Sequence, residues 1–591
     1  MKLTHVKLSD DLEMHDLIFI LFFHSTPWPL TAYCILSSKR YIIQDIRGDG
    51  SKHAQHVFLP MTDNNHIELN DRFLHAFRTM EDTDRNAFIT GRAGTGKSTL
   101  LRYFRDRTKK NCVVLAPTGV AAVNVKGQTI HSFFHFRPNV TPETVGKIKL
   151  KDKDIYKKLD VIIIDEISMV RADLLDCVDT FLRKRGRKKT RPFGGIQMVF
   201  IGDLYQLPPV VTSKEKALFS DYYKSPYFFS ARVFDEDLFS AMNVQRAPFE
   251  MEFIELEKVY RQRDKRFLDI LNSIRNYTVT DQDIQEINRR YEPEFAENPG
   301  DFYISLTTTN AIAEKINMNR LSGLKEKGHS YQASIEGDFE ERNLPTARNL
   351  LLKKGSQVML LNNDSQGRWI NGSIGRIADI DGGGDKPDVL WVELPDGEVV
   401  DVLPFQWEMF EFSYDQKTSK ILSEIVGSFT QYPLRLSWAV TIHKCQGMTF
   451  DRAIIDIGSG TFSHGQLYVA LSRCTTIDGL VLKRPVQKKN VLLDRRVVGF
   501  ITRYQYQQAE KHLSMEERFS LLDQAIQGKK KLNIIYLKTK DEKSKRTIIP
   551  TFAGEMEYQG RKFPGLRAFC TRRQDERVFH IERILDIKVV D

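Results

Sequence analysis

The chain has 591 residues, 41% of them hydrophobic and 28% charged, and a net charge of +10. That composition is ordinary for a soluble globular protein, and at roughly 150 residues per domain the length allows about four folding units. The positive excess favours a polyanionic partner without requiring one. Cys34, Cys112, Cys177, Cys445, Cys474 and Cys570 form no C-x-x-C pair, which argues against a structural zinc or iron–sulfur site and reads as reduced thiols.

Residues 1–66 carry no usable motif. The apolar run from Leu17 to Phe23 is too short to span a bilayer. Asp10, Asp11, Glu13 and Asp16 before it have the wrong sign for a secretion signal, so a small packed extension is expected. An amphipathic helix is predicted over Leu69–Met80, then a short strand over Ala87–Thr90, the loop GRAGTGKST and a helix over Thr99–Asp106. Cys112–Ala116, Val161–Ile164 and Met198–Ile201 are apolar throughout, the pattern of parallel strands buried on both faces. An α/β nucleotide-binding domain is expected over 67–248.

A second α/β domain follows over 249–486, with strands predicted at Tyr303–Leu306, Val358–Leu361, Leu436–Val440 and Ala453–Ile457. Between about 380 and 431 the character changes. Pro395-Asp396-Gly397 sits between two strand-like runs, Val389–Leu394 and Glu398–Val402, which predicts a hairpin within a small inserted β unit. Residues 487–520 read as a charged helical connector. Residues 521–591 read as a last, mostly-β unit with a helix over Leu521–Gln527 and strands around Leu532–Leu537, Gly565–Cys570 and Arg577–Ile581.

The chemistry starts at Gly91–Thr99, whose spacing is G-x-x-x-x-G-K-S. In such a loop backbone N–H groups wrap a phosphate, and Gly94 and Gly96 permit the close approach. Lys97 would bridge the β- and γ-phosphates and Ser98 would ligate Mg²⁺. Gly91, Ala93, Gly94, Thr95, Gly96, Lys97, Ser98 and Thr99 are the expected nucleotide-binding residues. The run Val161–Ile164 ends in Asp165 and Glu166, so Asp165 would hold Mg²⁺ and Glu166 would orient and deprotonate a water. That second carboxylate points to hydrolysis rather than transfer to an acceptor. Gln206, in Gly202–Pro209, is a candidate γ-phosphate sensor. Arg261 and Arg473, from the second domain, could supply transition-state cations when a cleft closes.

These elements, in this order, resemble superfamily 1 helicases. APTGVAA (Ala116 to Ala122), TIHSFF (Thr129 to Phe134), DEISM (Asp165 to Met169), GDLYQLPPV (Gly202 to Val210), VYRQ (Val259 to Gln262), LSWAVTIHKCQGMTF (Leu436 to Phe450) and LYVALSR (Leu467 to Arg473) are similar to the PIF-type 5′-to-3′ DNA helicases, of the RecD-like branch. The resemblance implies two tandem RecA-like P-loop domains, ATP with Mg²⁺ in the cleft between them, and an SH3-like β insertion in the second domain. It adds Gly447 to the nucleotide-binding residues. It implies that single-stranded DNA, at forked or tailed duplexes, lies along Pro117, Thr118, His131, Ser132 and Phe133 in the first domain. In the second, Thr308, Asn310, Thr441, His443 and Lys444 would line it. Short polar groups and a lysine suit phosphates, and an aromatic suits a base face; core packing is expected for at least one of Phe133 and Phe134. Implied roles are DNA replication, repair or recombination, and in relatives maintenance of telomere-type or G-quadruplex DNA. A monomeric cytoplasmic protein of bacterial or phage source, with no membrane partner, is expected. No glutamine precedes the loop where the family often reads adenine.

The last unit is similar to WYL domains, which implies a ligand patch built from Tyr536, Arg546, Arg572, Arg577 and Arg583. Two other readings stay open: a translocase that moves without unwinding, as part of a recombination complex, and a WYL-regulated nucleic-acid-binding ATPase switch.

Overall fold

The runs that are apolar at every position gather into a parallel sheet. In the computed structural model, Met251–Leu256, Asn86–Gly91, Gln197–Ile201, Val161–Ile164, Cys112–Ala116 and Gln128–Thr129 lie side by side in that order, all parallel. Every residue of Val161–Ile164 and Gln197–Ile201 is buried, as a sheet covered on both faces requires. The structure describes the backbone of residues 19–22, 31–36, 39–46 and 55–60, and then residues 69–590 apart from 138, 149–154, 212, 235–248, 261–263, 299, 383, 385, 459–462, 538–542, 559 and 572.

Met1–Asn70 is a compact unit by itself. Phe19–Phe22, Thr31–Leu36, Lys39–Ile46 and Gln55–Pro60 form an antiparallel meander there.

The first domain reaches past residue 248. Met251–Leu256, expected to open the second domain, pairs in parallel with Asn86–Gly91 along its whole length. Its burial is interrupted, as at a sheet edge, and no change of composition marks the boundary.

Ala439–Thr441, Ile304–Thr307, Ala453–Ile455 and Leu480–Leu482 make the second parallel sheet. Gln357–Leu360 is not in it, and it pairs antiparallel with Leu434–Leu436 and with Ile374–Asp381. Those three, with Val389–Glu393 and Val399–Val402, form a five-stranded antiparallel sheet. The inserted β unit therefore starts near Gln357 and not near 380. All four residues of Gln357–Leu360 are buried, so its pattern cannot be told from that of a parallel strand. The expected hairpin is present: Gly397 adopts φ +88° and its N–H donates to the Leu394 carbonyl at 2.9 Å. A longer hairpin, Phe405–Asp415 with Lys420–Gln431, reaches the first domain, where the Ile421 N–H donates to Asn111 Oδ1 at 3.1 Å.

The helix Arg495–His512 is more than a connector. Val497 and Ile501 are buried in the first domain's core, and Phe500 stacks on Phe229 at 4.3 Å. The helix Met515–Gln527 opens with a capping box between Ser514 and Glu517. It packs Leu522 and Ala525 on a five-stranded antiparallel sheet, Lys531–Leu537 through Ile584–Val590. Among the described residues no helix is long and apolar enough to cross a membrane.

Candidate functional site

The phosphate loop joins strand Asn86–Gly91 to helix Lys97–Arg105. Gly94 and Gly96 have φ of +78° and +88°, which only glycine adopts without strain. A Cβ on Gly91 would stand 2.5 Å from Thr95 Oγ1 and 2.6 Å from the Leu256 carbonyl. Lys97 Nζ lies across the loop and donates to the carbonyls of Gly91 at 2.7 Å and Arg92 at 3.0 Å. Ser98, one residue on, is exposed. A narrow loop at a helix N-terminus, with a lysine folded over it and a hydroxyl beside it, suits a nucleotide's phosphates and their Mg²⁺.

Asp165 and Glu166 stand where strand Val161–Ile164 ends. Glu166 is left-handed, φ +49° and ψ +42°, and its N–H donates to Asp165 Oδ1 at 2.9 Å. A non-glycine residue there is strained by about 1 kcal/mol or more. Burial pushes the Asp165 carboxyl up to about 7, and the neighbouring Glu166 adds to that. Burial also raises Glu166, against the pull of Lys97 and Arg473. A buried and a half-buried acid at adjacent positions favour a cation between or beside them.

Gln206 is buried, and its Nε2 donates to Asp203 Oδ2 at 3.3 Å. Asp203 in turn meets Arg275 of the second domain at 3.3 Å, and that guanidinium lies 4.0 Å from the Tyr205 ring centroid. Three further contacts cross from the second domain. The Tyr468 hydroxyl accepts from the Ala93 N–H at 3.3 Å. Gln446 Nε2 donates to Glu166 Oε2 at 2.9 Å. Gly465 packs so closely that a Cβ would lie 2.4 Å from the carbonyls of both Tyr205 and Gln206.

Arg473 comes to this cleft but does not reach out into it. It is wholly buried, with Nε on the Val469 carbonyl at 2.9 Å, Nη1 on that of Met448 at 3.1 Å and Nη2 on Ser472 Oγ at 2.9 Å. Burial lowers its affinity for a proton, and Glu166 is among the charges that raise it. Gly447, exposed and at φ +85°, follows Gln446. Arg261 lies outside the described residues.

Pro117, Thr118 and His131 line one open cavity of about 890 Å³, with Arg171, Tyr222 and Arg232. Thr118 caps the helix Gly119–Asn124, accepting from the Ala121 N–H at 3.3 Å, and Ser132 is exposed beside the cavity's His131. Phe133 requires a correction: it is 4% exposed and packs edge-on against Phe134, Tyr156 and Phe412. Its ring belongs to the core and is not offered to a base. In the second domain Thr308 is half-buried and Asn310, at the start of helix Asn310–Gly323, is exposed. Thr441 is buried and its Oγ1 accepts from the Lys444 N–H at 3.4 Å. Lys444 is exposed, while burial holds His443 below the usual imidazole range.

Tyr536, Arg546 and Arg577 line a second cavity, of about 460 Å³, but with Asp575 and Glu576, so the patch is of mixed charge. Tyr536 meets Phe579 edge-on at 5.1 Å. Arg583 is not among the lining residues, and Arg572 lies outside the described ones.

Sequence reasoning missed Tyr468, Gln446, Gly465 and the Asp203–Arg275 pair. Tyr468 and Gln446 stand inside LYVALSR and LSWAVTIHKCQGMTF, but nothing local says which residue, 375 and 280 positions away, each one meets.

The profile of the PIF1-like helicases matches residues 70–285, and that of the WYL domain matches 517–589. The chain is 31% identical to the ATP-dependent DNA helicase Pif1 of Bdellovibrio bacteriovorus over 433 residues, covering 71% of this chain and 89% of that one. It is 31% identical to the ATP-dependent DNA helicase PIF1 of Emericella nidulans over 490 residues, and spans 62% of that relative's length. The structure of Bacteroides sp Pif1 in complex with ADP-AlF4 is similar, with a TM-score of 0.66 and 34% identity over 75% of this chain and 98% of that one.

Proposed function

The chain belongs to the PIF1-like helicase family, and from that premise we propose that it is an ATP-driven motor that tracks 5′ to 3′ on single-stranded DNA and unwinds duplex ahead of it. The observation that carries this reading is the cleft. The phosphate loop and Glu166 belong to one parallel-sheet domain, and the other domain touches both, through Tyr468 and Gln446. A nucleotide held there is sensed by both domains, so its hydrolysis can change their spacing.

In this reading the triphosphate lies along Gly91–Thr99, and Lys97 turns from the loop carbonyls to the β- and γ-phosphates. Ser98 and Asp165 would hold Mg²⁺, which supplies positive charge to the phosphate oxygens. Glu166 takes a proton from water as the water oxygen bonds to the γ-phosphorus. The bond from that phosphorus to the β–γ bridging oxygen breaks, and its electrons leave with ADP. Arg473 and Arg261 would stabilise the charge that develops, Arg473 after exchanging its carbonyl partners for phosphate. Pro117, Thr118, His131 and Ser132 on one domain, and Thr308, Asn310, Thr441, His443 and Lys444 on the other, would hold successive phosphates of the strand. Opening and closing then moves one set relative to the other.

The test is strand displacement on duplexes with a 5′ or a 3′ single-stranded tail, beside ATPase measured with and without single-stranded DNA. Unwinding of the 5′-tailed duplex alone, lost in Lys97→Ala, supports the reading. ATPase without unwinding of either substrate replaces it with a non-unwinding translocase.

One observation favours a regulatory addition. The helix Arg495–His512, rooted in the first domain's core through Val497 and Ile501, also contacts the last WYL strand, Ile584–Val590. A ligand at Tyr536, Arg546 and Arg577 would thereby act on the motor. Arg577→Ala should then change DNA-stimulated turnover; unaltered turnover and unaltered DNA affinity would remove this addition.

A further inference from the structure

Gln446 stands between the two functions just described. It follows Thr441, His443 and Lys444, the second domain's proposed strand contacts, by at most five positions. The segment is tightly wound: the Cys445 N–H donates to the Thr441 carbonyl at 3.1 Å and the Gln446 N–H to that of His443 at 3.3 Å. A shift of the strand-facing residues therefore carries Gln446 with it.

Its side chain leaves its own domain. Nε2 donates to Glu166 Oε2 at 2.9 Å, a hydrogen bond to a carboxylate and so among the stronger kinds. Glu166 itself sits in a strained, left-handed backbone conformation. Gln446 Oε1 is buried and, among the described residues, has no hydrogen-bond partner. A buried acceptor left without a partner costs free energy unless something in the working enzyme donates to it. The amide thus presents a donor to the carboxylate and an open acceptor next to it. A water between the two could give one O–H to Glu166 and the other to Gln446 Oε1.

We propose that Gln446 is a positioning residue for hydrolysis, which orients Glu166 and the attacking water and does so in proportion to occupancy of the adjoining strand site. The inference rests on the proposed roles of Glu166 as base and of Thr441–Lys444 as strand contacts. It explains how DNA would stimulate ATP turnover. A strand phosphate held by His443 and Lys444 fixes the turn that carries Gln446, and the amide then stays on Glu166. Without the strand the turn is less constrained and the base is less often aligned. Gln206 is instead paired with Asp203 in its own domain.

The experiment uses the full chain and measures steady-state ATPase with no DNA and with saturating oligo-dT, together with oligo-dT affinity. Gln446→Met keeps the side chain's length and removes both amide groups; Gln446→Ala removes the bulk as well. Loss of a hydrogen bond to a charged group should lower DNA-saturated kcat by about 10- to 100-fold. DNA-free turnover should fall too, but by a smaller factor, so that the stimulation ratio collapses, while ATP KM and oligo-dT affinity each change by no more than about threefold. The inference is overturned if DNA-free and DNA-saturated rates fall by one common factor, or if Gln446→Met turns over like the parent. Glu166→Gln is run alongside. If it hydrolyses ATP at the parental rate the assignment of the base fails, whatever Gln446 does; if it is inactive, the Gln446 result stands by itself.

Discussion

The N–H of Ala93, inside the phosphate loop, donates to the hydroxyl of Tyr468 in the other parallel-sheet domain, at 3.3 Å and out of contact with water. The two residues are 375 positions apart. A loop that must wrap phosphates is thus held by the domain that must respond to them. Tyr468→Phe keeps the ring and leaves the N–H without its acceptor, which costs about 1 kcal/mol or somewhat more. The ATP concentration for half-maximal turnover should rise about three- to tenfold, with a smaller fall in kcat. Steady-state ATPase at saturating single-stranded DNA checks this; an unchanged KM would mean the contact is absent from the working cycle.

Gly465 makes the complementary argument from shape. It adopts φ +73° and its Cα faces the carbonyls of Tyr205 and Gln206, with 2.4 Å left for a Cβ. An alanine would be strained by about 1–2 kcal/mol in that backbone, and it would also push two carbonyls on the opposite domain. Gly465→Ala should therefore hold the cleft open and lower DNA-stimulated turnover by about tenfold or more. The melting midpoint should move little, because each domain keeps its own core. Parental turnover in this variant would show that Gly465 does not meet those carbonyls during catalysis.

What was legible from the residues alone follows from how local each constraint is. Gly94, Gly96, Lys97 and Ser98 act within one turn of chain, so their spacing is their geometry. Asp165 and Glu166 are likewise marked by the apolar strand that ends at them. Partnership across the cleft is different. Gln446 and Tyr468 owe their roles to residues of another domain, and no periodicity encodes that. Pattern also fails where two environments share a signature. Gln357–Leu360 is buried at every position in an antiparallel sheet, as Val161–Ile164 is in a parallel one, and apolar residues dominate both.

Phe133 shows the same limit for a single side chain, and yields a test. An aromatic after His131-Ser132 suits a base-stacking platform, yet its ring is packed among Phe134, Tyr156 and Phe412. Truncation to alanine should cost about 3–5 kcal/mol of stability, as for other buried phenylalanines. Phe133→Leu should keep the fold and bind oligo-dT within about twofold of the parent. A tenfold loss of affinity in Phe133→Leu, with an unchanged melting curve, would return the ring to the strand.

Asp176 supplies a dependence on pH that is independent of the cleft. It sits on helix Ala172–Arg185, 5% exposed, and accepts from Tyr223 Oη at 2.9 Å and from the N–H groups of Arg232 at 3.1 Å and Val233 at 3.4 Å. Burial is the largest influence and pushes its carboxyl up to about 6; the three donors pull the other way and do not prevail. In the unfolded chain an aspartate titrates near ~3.9, so between about pH 4 and pH 6 the native state holds the extra proton. Stability from this group is therefore complete below about pH 4 and is lost as pH rises through about 6, by about 3 kcal/mol in all. Asp176→Asn imitates the protonated carboxyl and has no such loss. Urea unfolding of parent and variant from pH 4 to pH 7 should show the variant gaining on the parent by about that amount, with the gain levelling off above pH 7. Parallel curves would mean that the donors keep Asp176 ionised in the folded protein, and that Tyr223 and the Arg232–Val233 turn are held by a charge and not by a neutral acid.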